Sequence, residues 1–138
     1  MERYETSVGA VVINSQNKIL LIFQRKARYW EFPKGHMEGQ EDELLTMDRE
    51  VKEETGIKSY ELIKGFRYEI NYSFEDLEDV VHKRVIFYLI RTDDPIRICI
   101  EHEKYAWVDY EDALRLVKYD EQREVLKRVN DFLRNSAK

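Results

Sequence analysis

Cysteine, proline and glycine are all scarce in this chain of 138 residues, which has one, two and five of them. A single cysteine, Cys99, excludes an internal disulfide and fits a reducing cytoplasm; within IRICI it reads as a buried strand residue rather than a nucleophile. So few Pro and Gly leave no linker at which to divide the chain. No repeat interrupts it, so residues 1–138 are expected to form a single domain. Positive charge is also in deficit. Twenty-three Lys and Arg against twenty-eight Asp and Glu give a net charge of −5, which argues against a stable nucleic-acid partner or an anionic membrane surface. No apolar run approaches the ~18 residues of a spanning helix. The start MERYETSVGAVVI lacks the basic-then-apolar layout of an export signal, so a cytoplasmic location is expected.

Hydrophobic residues, including nine Tyr, six Phe and two Trp, make up 43% of the sequence, enough for a globular core. Runs 7–13 and 18–23 are β-branched and apolar around the turn 14–17, and predict a hairpin. A second, longer hairpin is expected from 62–74 and 80–90 around the acidic turn 75–79. Short strands are expected at 96–100 and 105–108. Helical spacing of Ala113, Leu114 and Val117, and of Val125, Leu126, Val129, Phe132 and Leu133, predicts helices over 110–117 and 121–133. Between the hairpins a helix is predicted from about Glu41 to Thr55, stopped by Gly56. Strands, helix, strands and helices in that order give a mixed α/β or α+β layered domain with helices on both faces of a sheet.

That first helix is dense in carboxylates. A residue turns by ~100° on a helix, so Glu50, Glu53 and Glu54 converge on one side. Leu44, Met47 and Val51 form an adjacent stripe that would dock the helix on the sheet. Three crowded carboxylates raise one another's pKa unless a cation lies among them, and hard oxygen donors favour Mg²⁺ or Mn²⁺. A solvated acidic face paired with Arg49 and Lys52 is the plainer alternative for a helix of this kind.

The wider spacing decides between the two. Gly35, five residues, Glu41, seven residues, Arg49-Glu50, Val51, Lys52, Glu53-Glu54, Thr55, Gly56 and Ile57 resembles the complete Nudix box. The resemblance implies an α/β/α sandwich with a mixed sheet that cleaves a nucleoside diphosphate linked to another group. It further implies Glu50, Glu53 and Glu54 as metal ligands supported by Glu41, the Gly35 carbonyl completing the shell, and Arg49 orienting the glutamates. The general base is left open between a box glutamate and a carboxylate of a later segment, Glu101 or Glu103. Gln40 stands where many members have glycine, and Thr46 and Met47 replace small alanines; none of these removes a ligand.

Residues outside the box narrow the resemblance. Trp30-Glu31-Phe32-Pro33-Lys34-Gly35-His36 and Glu101-His102 followed by Tyr105-Ala106-Trp107 are similar to segments of the asymmetrical diadenosine tetraphosphate hydrolases. That branch implies Lys34, His36 and Lys83 on the polyphosphate, and Phe87 and Tyr119 as stacking partners for adenine, each such stack being worth ~1–3 kcal/mol. The expected reaction is magnesium- or manganese-dependent cleavage of diadenosine tetraphosphate to ATP and AMP. Other Nudix substrates, namely 5′-triphosphorylated RNA, an oxidised nucleoside triphosphate or ADP-ribose, would use the same helix. A nucleotide sensor without turnover would be expected to lack one of the box carboxylates, and all are present. Monomer and homodimer are both open. His82 and His102 carry no assignment, and Trp30 and Trp107 read as structural.

Overall fold

The computed structural model describes residues 1–136. Eight strands and three helices follow in the order β1 (Glu2–Ile13), β2 (Ile19–Gln24), β3 (Trp30–Glu31), β4 (Lys34–His36), α1 (Glu43–Thr55), β5 (Glu61–Leu62), β6 (Tyr68–Asp76), β7 (Asp79–Arg91), β8 (His102–Val108), α2 (Tyr110–Leu116) and α3 (Asp120–Ser136). The sheet is mixed: β1 runs parallel to β7 along its whole length, while β6 returns antiparallel to β7.

The predicted first hairpin is one in connection only. Asn14 Oδ1 accepts from the amides of Gln16 and Lys18, and Asn17 takes φ 59° to close the turn. Beyond Ile13↔Ile19, however, the two strands part. β1 goes on to pair with β4 through Ser7–Gly9, whereas β2 pairs with β3 and β8. The sheet therefore forks, and the fork is where the candidate site lies.

Alternation along β1 and β7 sends side chains to two cores. Val8, Ala10, Val12, Ile86 and Ile90 pack under Met47 and Val51 of α1. Val11, Ile13, Val85, Phe87 and Leu89 pack under Val125, Leu126 and Val129 of α3 and Ala113 of α2. Helices thus cover both faces, as the layered reading requires. On α1 the buried residues are Thr46, Met47, Val51 and Thr55, and Leu44 is 43% exposed. The docking stripe is rotated from the one expected because the two threonines face the sheet, each with its hydroxyl satisfied: Thr46 donates to Glu41, and Thr55 to the Val51 carbonyl.

α1 ends where Gly56 predicts and starts two residues after the expected Glu41. Asp42 caps it by accepting from the Leu45 amide at 2.8 Å, and Gly56 ends it at φ 71°. Segment 96–100 is not a strand. Its amides are spent elsewhere, Arg97 donating to the Thr55 carbonyl at 2.7 Å and Cys99 to that of Glu54 at 3.3 Å, so it satisfies the free carbonyls at the end of α1 instead of a sheet edge. This leaves Cys99 partly buried beside the fork.

Glu43, in the first turn of α1, accepts from Arg67 at 2.8 and 2.9 Å and from the Tyr88 hydroxyl at 2.7 Å. The Arg67 guanidinium, ahead of the Tyr88 hydrogen bond, holds its carboxyl at about 2 against burial. A carboxyl depressed on folding stabilises above its unfolded pKa, and that stability is lost as pH falls toward the folded value. Urea unfolding of wild type should therefore weaken between about pH 4.5 and 2, and Glu43→Gln should show less of that acid dependence. An identical decline in both proteins would rule this pairing out as a source of stability.

Candidate active site

One wall of the fork is the outer side of α1. Glu50 lies against Gly35 so closely that a Cβ there would stand 2.0 Å from its carboxyl carbon, which is why a residue without a side chain is required. Arg49 donates to Glu50 Oε1 at 2.7 Å and lies 3.5 Å from Glu53 Oε2. It is held in turn by Glu41, through Nε at 2.7 Å and NH2 at 3.0 Å, and by the His36 carbonyl. The Lys34 amide donates to Glu54 Oε1 at 3.2 Å. Burial, with the Glu31 charge adding to it, pushes the Glu54 carboxyl up to about 8, and burial also raises that of Glu50.

These glutamates face a cavity of about 530 Å³ that also reaches Lys34, His36, Lys83 and Glu101. Lys83 Nζ lies 2.9 Å from His36 Nε2, because Glu5↔Lys83 and Ser7↔His36 are register pairs on the same face of β1. Burial and then the neighbouring charge of Lys34 lower the Lys83 ammonium. A second cavity, of about 430 Å³, is lined by Tyr29, Tyr72, Phe74, Phe87 and Tyr119. The two cavities share Tyr29, Glu31 and Lys34, so they form one continuous cleft with an aromatic end and an anionic end.

Of the residues expected from sequence, Gly35, Glu50, Glu53, Glu54, Lys34, His36, Lys83 and Glu101 meet in the first cavity and Phe87 and Tyr119 in the second. Glu103 does not reach the cleft. It follows the buried His102 at the start of β8 and so faces the other way, pairing outward with Arg28 at 2.6 Å, whereas Glu101 lies before the strand. Glu41 stands outside the cavity lining as well; bonded to Arg49, Thr46 and the Glu38 amide, and held by Arg49 at about 2, it supports the arginine. Phe87 is 3% exposed and edge-on to Phe32 at 5.5 Å, so it floors the aromatic cavity.

The open rings are Tyr119, Phe74 and Tyr72, 45%, 43% and 39% exposed, with Tyr29 edge-on to Tyr119 at 5.6 Å. Tyr72 was not foreseen. It enters the cleft because Tyr72↔Lys83 is a register pair, which places it on the lysine's face, and the turn length that sets this register is not legible from composition.

A divalent cation can be tested against these residues. Among the described residues no three His, Cys, Asp or Glu side chains already stand at metal-holding spacing, since Arg49 draws Glu50 and Glu53 together while the Lys34 amide holds Glu54. The donors nevertheless fit: the carboxylates of Glu50, Glu53 and Glu54 and the Gly35 carbonyl are all hard oxygens at one cavity.

The profile of the NUDIX domain matches residues 3–129. The chain belongs to the Nudix family. A mouse (Mus musculus) relative named bis(5′-nucleosyl)-tetraphosphatase (asymmetrical) is 37% identical over 110 residues, covering 76% of this chain and 72% of its own. An RNA pyrophosphohydrolase of Ruthia magnifica subsp. Calyptogena magnifica is 32% identical over 126 residues, covering 79% and 70%. Among solved structures, the binary complex of a C. elegans Ap4A hydrolase superposes with a TM-score of 0.80 at 24% identity over 95% of this chain and 98% of that one, a likeness of fold. Among the described residues of this Nudix chain, no helix is long and apolar enough to cross a membrane.

Proposed function

We propose that this Nudix chain cleaves diadenosine tetraphosphate asymmetrically, to ATP and AMP, with Mg²⁺ or Mn²⁺ as its cation. The observation that carries the reading is the continuous cleft: an aromatic end able to take a nucleobase, three cationic or imidazole side chains in the middle, and clustered glutamates at the other end. The mouse relative, named for that reaction, supports it. The free thiol of Cys99 supports a cytoplasmic setting.

Lys34, His36 and Lys83 bind the phosphate chain. The side-chain cations are point charges that neutralise it without demanding a single geometry. Glu50, Glu53, Glu54 and the Gly35 carbonyl would hold the cation, which would supply Lewis acidity toward phosphate oxygens and water. Arg49, fixed by Glu41, orients Glu50. Water attacks phosphorus in line, the bridging oxygen leaves with the ATP portion, and a carboxylate on the cleft wall takes the proton; Glu54 and Glu101 both line that wall. Positioning and charge neutralisation supply most of the rate.

The test is a panel of diadenosine tetraphosphate, ADP-ribose, an oxidised nucleoside triphosphate and 5′-triphosphorylated RNA with Mg²⁺ and with Mn²⁺, products being resolved by chromatography. ATP and AMP at the highest kcat/KM are expected. A higher kcat/KM on triphosphorylated RNA would overturn the substrate and keep the site. Tyr119→Ala is expected to raise KM for the adenine dinucleotide more than for inorganic tripolyphosphate; equal effects would remove Tyr119 from the base site.

A further inference from the structure

Glu31 has no part in the reading above, yet it lies where the two cavities of the cleft meet. It is 7% exposed and belongs to the wall of both cavities. Its Oε2 lies 2.7 Å from Nε2 of His102, itself 2% exposed, while the His102 amide donates to the Cys99 carbonyl at 3.1 Å and its Nδ1 faces Cys99 Sγ at 3.5 Å. The imidazole is thus fixed from both sides and aims one N–H at the carboxylate. The other carboxylate oxygen, Oε1, lies 3.9 Å from Lys34 Nζ, beyond hydrogen-bonding length. The carboxylate lines the cleft, so a ligand's donors can reach it there.

The order of chemistry along the cleft says which ligand. A 5′-nucleotide whose base lies in the aromatic cavity and whose phosphates pass Lys34 must place its sugar between them, at the wall formed by Tyr29, Glu31 and Lys34. A ribose offers two adjacent hydroxyl donors there. Of the three wall side chains, Glu31 is the one that can only accept, and a carboxylate takes a cis-diol with both oxygens. We propose that Glu31 is a specificity-determining residue that accepts the 2′- and 3′-hydroxyls of the substrate ribose, and that His102 is a positioning residue that aims it. This rests on the nucleotide reading of the cleft given above, and it adds that the protein discriminates ribose from deoxyribose.

Calorimetric titration of the full chain with AMP, 2′-deoxy-AMP and 2′,3′-dideoxy-AMP tests the proposal with no mutation. Loss of both hydroxyls should weaken binding about tenfold to a hundredfold, the range for hydrogen bonds to a charged acceptor. Equal affinities for the three nucleotides would overturn it. In Glu31→Ala and Glu31→Gln, verified as folded by their melting transitions, the ratio between AMP and its dideoxy form should shrink, Ala more than Gln. A ratio as large as wild type in Glu31→Ala would overturn it too. His102→Gln, which can still donate from its amide, should keep discrimination that His102→Leu loses; equal ratios in the two would sink the positioning role. Because binding of AMP is read without turnover, failure to cleave diadenosine tetraphosphate would remove that substrate and leave the ribose assignment to stand or fall on its own titrations.

Discussion

Glu53→Gln is expected to cut turnover by orders of magnitude while leaving the protein folded. Glu53 is the most open of the three box glutamates, its side chain 59% exposed and its nearest cation Arg49 at 3.5 Å. A change at such a site falls within about 0.5 kcal/mol of neutral for stability. It lines the cavity proposed to take the phosphate chain, so the loss should come from the chemical step and appear in kcat, not in a general rise of KM. Thermal unfolding adds an independent check. Wild type should gain in melting temperature when Mg²⁺ is added, because a cation that binds only the folded chain stabilises it by mass action; the gain should be smaller in Glu53→Gln. Ordinary turnover in the mutant would remove Glu53 from the metal site.

Two glycines should fail in opposite ways. In Gly9→Ala the new methyl would stand 2.1 Å from the Pro33 carbonyl oxygen and 2.8 Å from Lys34 Cα, which are backbone atoms of the chain entering and forming β4. They cannot rotate aside, so β4 must leave β1, at a cost of about 3 kcal/mol or more. Activity should fall with it, since β4 carries Lys34, Gly35 and His36. In Gly35→Ala the methyl meets the end of the Glu50 side chain, which can swing away. Urea unfolding should then change little while kcat collapses. Gly35→Ala with full activity would show that Glu50 works from some other position, and a Gly9→Ala protein of wild-type stability would contradict the pairing of β1 with β4.

What was legible in the sequence was whatever is written in short-range spacing. The C-terminal limit of α1 follows from Gly56, and the convergence of Glu50, Glu53 and Glu54 from helical geometry, because a helix brings together residues three and four apart. The fork was not legible. Runs 7–13 and 18–23 carry the marks of a hairpin, and their parting after one pair depends on β4 and β8 competing for their edges, a choice made by distant segments. The same limit hid Tyr72 and the Glu31–His102 pair, whose partners are set by strand register and by an approach across 71 residues. Segment 96–100 misled for a related reason. Its alternating Ile and Arg predict a strand, but the carbonyls ending α1 took its amides first.

Tyr72 stands on a strand with one neighbour. Beyond it, Ser73, Phe74, Glu75 and Asp76 of β6 are exposed, paired with β7 and tied to β1 through the Arg3–Asp76 contact at 3.0 Å, up to a turn whose Leu77 is 97% exposed. Opening of this outer ribbon from β7 is therefore expected to cost far less than unfolding of the cores, and to widen the aromatic cavity. Amide hydrogen exchange along β6 should accordingly be faster than along the central strand β1, and a nucleotide seated against Tyr72 should slow it. The affinity of the cleft is then set in part by the closing of one ribbon, so residues of the hairpin tip that touch no ligand still enter the binding constant.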